Sequence, residues 1–172
     1  TDTESLTYLT ANNIDADDGT ISLWYSPSYG SNTAGTKFLF NTANHLRIYF
    51  VGGADPRFYA EAYNGTDFTT VQAVSAQQTL GAGSWIHIVA VYDNDASTGS
   101  AQAPLALYVN NVRTTDTSAF GAQALPASMF IGSDSSGVNQ ANGTTGVPGI
   151  SPHDFSPGMP NPRENPMPPP RL

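Results

Sequence analysis

The sequence predicts an all-β fold: a two-sheet antiparallel jelly-roll sandwich followed by an extended, proline-rich C-terminal arm. Three observations predict it. Apolar residues recur at a period of two in one segment after another. No segment sustains a 3.6-residue apolar period over three helical turns. Turn-forming pairs such as Asn64-Gly65 and Asn110-Asn111 punctuate the segments, and both residue types tolerate positive φ. Short strands at intervals of about 8–12 residues, with turns between them, are the pattern of a sandwich or jelly roll.

Each element follows from its alternation. Leu6, Tyr8 and Thr10 share one face of the first strand. GTISLWYSP puts Ile21, Leu23 and Tyr25 on one face and Ser22, Trp24 and Ser26 on the other. TKFLFN follows a turn containing glycine. HLRIYFV sets Leu46, Ile48 and Phe50 against Arg47, Tyr49 and Val51. RFYAEAY sets Phe58, Ala60 and Ala62 against Tyr59, Glu61 and Tyr63. WIHIVAVYD is apolar on both faces, which predicts a central strand covered on both sides. PLALYVNN and SMFIG complete the set.

The length of 172 residues fits one domain with an appendage. Residues 1–135 carry the apolar pattern and are read as the sandwich. Residues 136–149, rich in Gly, Ser and Asn, are read as a linker. Residues 150–172 are read as the arm. Nine of the thirteen prolines lie at Pro148 or beyond.

Six Lys and Arg stand against fourteen Asp and Glu, giving a net charge of −8. Binding nucleic acid normally requires a cationic face that neutralises phosphates, and six cations against fourteen anions do not build one. Anionic membrane surfaces are disfavoured for the same reason. Charged residues make up 12% of the chain, about half the usual share. Solubility therefore falls to Asn, Thr, Ser, Gln and Gly, a surface common on extracellular and particle-surface β-proteins. There is no Cys, hence no disulfide framework and no thiolate chemistry. No apolar run is long enough for a membrane-spanning helix, and no basic-then-apolar leader is read.

Three stretches in order resemble the laminin-G-like, concanavalin A-like lectin/glucanase superfamily. GTISLWYSP is similar to its early core strand, GSWIHIVAVYDN to its central strand, and LALYVNNVR with SMFIGSD to its hairpin and later strand. Together they span about residues 5–135. The resemblance implies a concanavalin A-like sandwich and a binding role; it says little about the ligand. Asn111 stands where the family usually has Gly, which Asn can replace in the left-handed region. The family usually continues with a closing strand beside the N-terminal one. Here linker and proline follow instead, so an open sheet edge is expected near Ser5–Thr10, and open edges invite pairing with another chain.

Catalysis is not expected. Glycoside cleavage needs two carboxylates across the bond, about 5–10 Å apart. Of the three Glu, Glu4, Glu61 and Glu164, only Glu61 lies on an expected strand, and neither residue two positions away is acidic. No nucleophile elbow or His pair with metal-ligand spacing occurs. His87, inside the central strand, reads as a buried histidine with a satisfied hydrogen bond. No cofactor is required. Asp93 and Asp95, at the end of the central strand, are candidate Ca²⁺ ligands; the rival reading is a solvated turn. Asp15, Asp17 and Asp18 form a weaker candidate that lacks EF-hand spacing. Tyr49, Tyr59 and Tyr63 are candidates for stacking on sugar rings, against the plainer reading of ordinary sandwich aromatics. Asn64 and Asn142 head glycosylation sequons that matter only on a eukaryotic secretory route.

The arm has few large hydrophobes, so it cannot form its own core. Ordering about 25 residues costs on the order of tens of kcal/mol, less for prolines whose φ is fixed. It must therefore lie on a larger surface, and as polyproline II it could reach up to about 75 Å. Phe155, Met159, Pro162, Met167, Pro169 and Leu172 are the residues expected to contact a partner, since Pro-rich arms dock into aromatic-lined grooves. The reading is a non-catalytic structural or adhesive module on a virion surface or outside the cell. It would be a decoration or tail-associated protein tied to other subunits of a capsid or tail by the arm. The alternative is a secreted bacterial carbohydrate-binding, lectin-like domain, with Ca²⁺ dependence as one form of it. Partners are then protein subunits or glycans, not nucleic acid or membrane.

Overall fold

A computed structural model describes residues 6–68, 72–94, 103–120 and 124–151, with residues 144–151 described by backbone alone. The described residues form no helix and eleven strands. In chain order these are β1 Leu6–Leu9, β2 Asp18–Pro27, β3 Gly35–Thr42, β4 Leu46–Gly52, β5 Arg57–Ala62 and β6 Gln72–Val74. There follow β7 Ile86–Asp93, β8 Leu105–Val109, β9 Val112–Asp116, β10 Ser128–Ile131 and β11 Gly143–Ser151. A six-stranded sheet has the order β1-β10-β3-β4-β5-β6, and a five-stranded sheet the order β11-β2-β7-β8-β9. Every paired strand is antiparallel. This is the expected all-β two-sheet sandwich.

The core lies between the sheets and follows the alternation. Ile21, Leu23 and Tyr25 on β2 are buried beside Ile86, Ile88 and Ala90 on β7, in the register Leu23↔Ile88. The facing sheet supplies Phe40, Leu46, Ile48, Phe50 and Phe58, and the rings of Phe50 and Phe58 sit 4.9 Å apart. Each such side chain contributes about 1.5–3 kcal/mol by leaving water. The Tyr25 hydroxyl donates to the Ala141 carbonyl and shares a 2.8 Å hydrogen bond with Tyr29. Burial pushes both phenols up, Tyr29 to about 12. Asn110 and Asn111 both adopt positive φ in the β8–β9 hairpin, as their pairing predicts.

Two expectations need correction. β7 is central in its sheet, but only one face is covered: Ile86, Ile88, Ala90 and Tyr92 are buried, and the alternate residues are half-buried. One sheet packs against it, and nothing among the described residues forms a third layer. The second concerns the closing strand, which is present. β11 carries paired backbone from Gly143↔Pro27 to Ser151↔Thr20, well past residue 135. Its glycines, which read as a linker, serve close approach: a Cβ on Gly143 would stand 2.4 Å from the Ser26 carbonyl oxygen. Pro148 falls in the register irregularity between Gly146 and Gly149, where a missing N–H is tolerated on an edge strand. β11 pairs with β2 rather than β1, so among the described residues β1 is an edge strand. The arm residues Phe155, Met159, Pro162, Met167, Pro169 and Leu172 lie outside the described residues, as does Asp95.

Candidate ligand-binding faces

The outer face of the six-stranded sheet carries the tyrosines singled out in the sequence. The register Tyr49↔Tyr59 stacks their rings at 4.9 Å and 3°. Tyr63 lies beyond β5 and packs on Phe68 instead, with 5.2 Å between ring centroids. Tyr49 is buried, not presented to solvent. Its hydroxyl donates to Glu61 at 2.5 Å, and burial followed by that hydrogen bond pushes its pKa well above the usual phenol range. Glu61 also accepts from the Arg47 Nε and from the Gln72 side-chain amide. The Arg47 guanidinium in turn lies 4.1 Å from the Phe68 ring centroid. Glu61 is only 1% exposed. None of its three partners is a carboxylate, so this face is a closed structural network with Tyr59 at its margin.

Folding brings the two acidic stretches together. Asp18 pairs with Asp93 across β2 and β7, and the Asn94 amide donates to the Asp17 carbonyl at 2.7 Å. Among the described residues, however, no group of three or more His, Cys, Asp or Glu side chains could hold a metal ion. Asp15 caps the amide of Asp17 at 2.9 Å, and its carbonyl accepts from the Tyr92 hydroxyl at 2.8 Å. These are turn contacts. Gly19 is required beside them, since a Cβ there would meet the Tyr92 hydroxyl at 2.6 Å. His45 is buried edge-on to Tyr92, and neither ring nitrogen has a hydrogen-bond partner. Burial lowers its pKa, against an upward pull from Asp15 and Asp17.

The five-stranded sheet presents a different outer face. Trp24 on β2 stands opposite His87 on β7, and their rings stack at 4.7 Å and 20°. The His87 Nε2 is 2.9 Å from the Ser22 hydroxyl, which fixes the imidazole beneath the indole. The Asn110 side chain accepts from the His87 backbone amide at 2.9 Å. The hydrogen bond expected for His87 is therefore present, but the residue is half-buried on the outer face. Trp24 is 47% exposed and Trp85, just before β7, is 52% exposed. Alternation puts Trp85 on the His87 side of the strand, diagonal to Trp24. On the other flank Trp24 pairs with Gly146 of β11, which has no side chain to crowd the indole. Neither tryptophan was singled out in the sequence as a ligand residue. The signal was present: Trp24 alternates with Leu23 and Tyr25, and Trp85 precedes buried Ile86.

Two antiparallel sheets in this strand order define a jelly-roll sandwich. The chain belongs to the laminin G family Laminin_G_3 of the concanavalin A-like lectin/glucanases superfamily, whose family model matches residues 1–146. No curated protein matches it. Among solved structures it is similar to the native heptameric SAP-like pentraxin from Limulus polyphemus. That match has 13% identity, a TM-score of 0.56, and coverage of 81% of this chain and 65% of that one. It is also similar to a structure titled HCR/D-Sa-GBL1/C, with 9% identity, a TM-score of 0.51, and coverage of 74% of this chain and 31% of that one. The chain thus spans less than two thirds of either, and these likenesses establish the fold.

Proposed function

We propose that this chain is a non-catalytic adhesive module that binds carbohydrate on the outer face of its five-stranded sheet. The observation that carries this reading is the exposed Trp24 indole, backed flat by His87, whose Nε2 is hydrogen-bonded to Ser22. An exposed, rigid indole offers its π-face to the apolar C–H face of a pyranose, and its fixed rotamer lowers the ordering cost of binding. Ser22, two residues before Trp24 on the same face of β2, adds a polar group for a sugar hydroxyl. A chain of net charge −8 repels polyanions, which points to a neutral glycan. Glu61, engaged by three donors, supports the non-catalytic part of the reading. An array of neutral and acidic oligosaccharides probed with the full chain tests it. Binding should select neutral glycans, persist with a chelator and vanish in Trp24→Ala. An array with no hits, or hits unchanged in Trp24→Ala, overturns it.

The second reading is an outward-facing subunit of a large assembly, a virion decoration or tail-associated protein tied down by Phe155, Met159, Pro162, Met167, Pro169 and Leu172. The exposed apolar edge strand β1 favours it. Removal of residues 152–172 should then leave the sandwich folded but detached from its assembly; retention of the truncated chain on the particle argues against it.

A further inference from the structure

Stacking on His87 covers one face of the Trp24 indole, so the other face is turned toward β11, the edge strand of the same sheet. The β11 positions beside it on this outer side are Gly146, opposite Trp24, and Gly149, opposite Ser22. Neither carries a side chain, which leaves a shallow trough walled by the indole. The chain leaves the described sandwich along this trough: Ser151, the last residue of β11, pairs with Thr20, four residues before Trp24 on β2. The 21 residues that follow, 152–172, hold eight prolines, the composition of a polyproline II strand. That conformation has three residues per turn, so every third residue shares a side. Pro160, Arg163, Pro166, Pro169 and Leu172 fall on one such side, apolar but for a single cation.

We propose that the chain's own arm, residues 159–172, lies back across this sheet as a polyproline II strand, with Pro166 and Pro169 against the open face of Trp24. Ser156-Pro157-Gly158-Met159 has proline second and glycine third, the sequence of a type II turn, and it reverses the chain soon after β11. By equal counts on either side of Pro157-Gly158, residue 164 returns to the level of Ser151 and Thr20. Trp24 lies about 13 Å further along β2, at about 3.3 Å per residue. Polyproline II covers that in about four residues. Pro166 and Pro169 bracket this level, and proline rings pack on an indole as Pro-rich ligands do in aromatic-lined grooves. Arg163 falls near the level of Asp18 and Asp93, which stand opposite each other at the arm's end of the same outer face. Like charges paired across strands are unfavourable, and a guanidinium beside them relieves the pair.

The tether supplies the affinity. An effective concentration of about 1 mM keeps a contact of about 0.1–1 mM intrinsic strength about half to nine-tenths formed. The docked arm shields the indole, so releasing it should raise glycan affinity about 2–10-fold. That consequence rests on the carbohydrate reading; the docking itself does not.

NMR of the isotope-labelled full chain tests it. Nuclear Overhauser contacts should join the Trp24 indole protons to the Pro166 and Pro169 ring protons, equally at about 50 µM and about 500 µM, as an intramolecular contact requires. Two full-chain variants should lose these contacts and shift the Trp24 indole N–H resonance. One is Pro166→Ser with Pro169→Ser, which removes the rings; the other is Gly158→Val, which a type II turn does not accommodate. Absence of the contacts in the wild type overturns the proposal. So do contacts that fade on dilution, which belong to another copy's arm, or a Trp24 resonance unmoved by both variants. An array of neutral oligosaccharides separates this failure from that of the carbohydrate reading. Both variants should bind it about 2–10-fold more tightly than the wild type. An array without hits beside intact contacts sinks the carbohydrate reading alone; equal hits for all three proteins, without contacts, sink the docking alone.

Discussion

Replacing Glu61 with alanine removes one acceptor from three donors at once: the Arg47 Nε, the Tyr49 hydroxyl and the Gln72 amide. Breaking a buried ion pair by deleting one member costs about 3–5 kcal/mol, because the remaining charge stays desolvated. Arg47 is 26% exposed, so water reaches the guanidinium and pulls the ionic part toward the lower bound. Tyr49 is buried, and its stranded hydroxyl adds about 1–3 kcal/mol, although the losses overlap within one network. The expected total is about 3–5 kcal/mol. At about 2–4 °C per kcal/mol for a chain of this size, the melting temperature should fall by roughly 6–20 °C. Glu61→Gln keeps the shape and one acceptor and should cost about 1–2 kcal/mol. Urea denaturation and thermal scans of the three proteins give the comparison. If Glu61→Ala lies within about 0.5 kcal/mol of wild type, the network is not structural. The place of Glu61 as a spent carboxylate would then have to be abandoned.

Other expectations follow from single contacts. Phe50→Ala empties the middle of the core and should cost about 3–5 kcal/mol in urea. Gly143→Ala drives a Cβ toward the Ser26 carbonyl, so hydrogen exchange in residues 143–151 should accelerate while β7 stays protected. His45 is buried neutral, with its pKa below the usual imidazole value. The unfolded chain takes up that proton near pH 6.5, so stability is full above this and falls as pH drops through it, by at most about 1.4 kcal/mol per pH unit. His45→Leu should flatten the profile between pH 7.5 and pH 5, measured as urea midpoints; an unchanged profile assigns the titration elsewhere.

The strands were legible because period-two alternation survives in β2, β4, β5 and β7, where one face must be apolar. Other features depended on contacts between distant residues. WIHIVAVYD reads as covered on both sides because valine and isoleucine fill both faces, yet Val89 and Val91 simply line a half-buried outer surface. β11 was unreadable because Gly143, Gly146 and Gly149 resemble linker residues until the Ser26 carbonyl and the Trp24 indole are seen beside them. The tyrosines were chosen by exposed parity alone. Parity placed Tyr49 and Tyr59 on one face correctly, but it could not show that Glu61 draws Tyr49 inward. Trp24 carried the same parity signal, and its stacking partner His87 lies 63 positions away, beyond the reach of local pattern.

The most direct measurement is a glycan titration followed by the indole N–H resonances of the chain's two tryptophans. With a neutral oligosaccharide bound, the Trp24 and Trp85 signals and the His87 amide should move together and saturably, with a chelator present. If the shifts gather instead around Tyr59 and Tyr63, or at the Asp93 end of β7, or no neutral sugar moves the indoles at any concentration, the tryptophan face is not where this module binds.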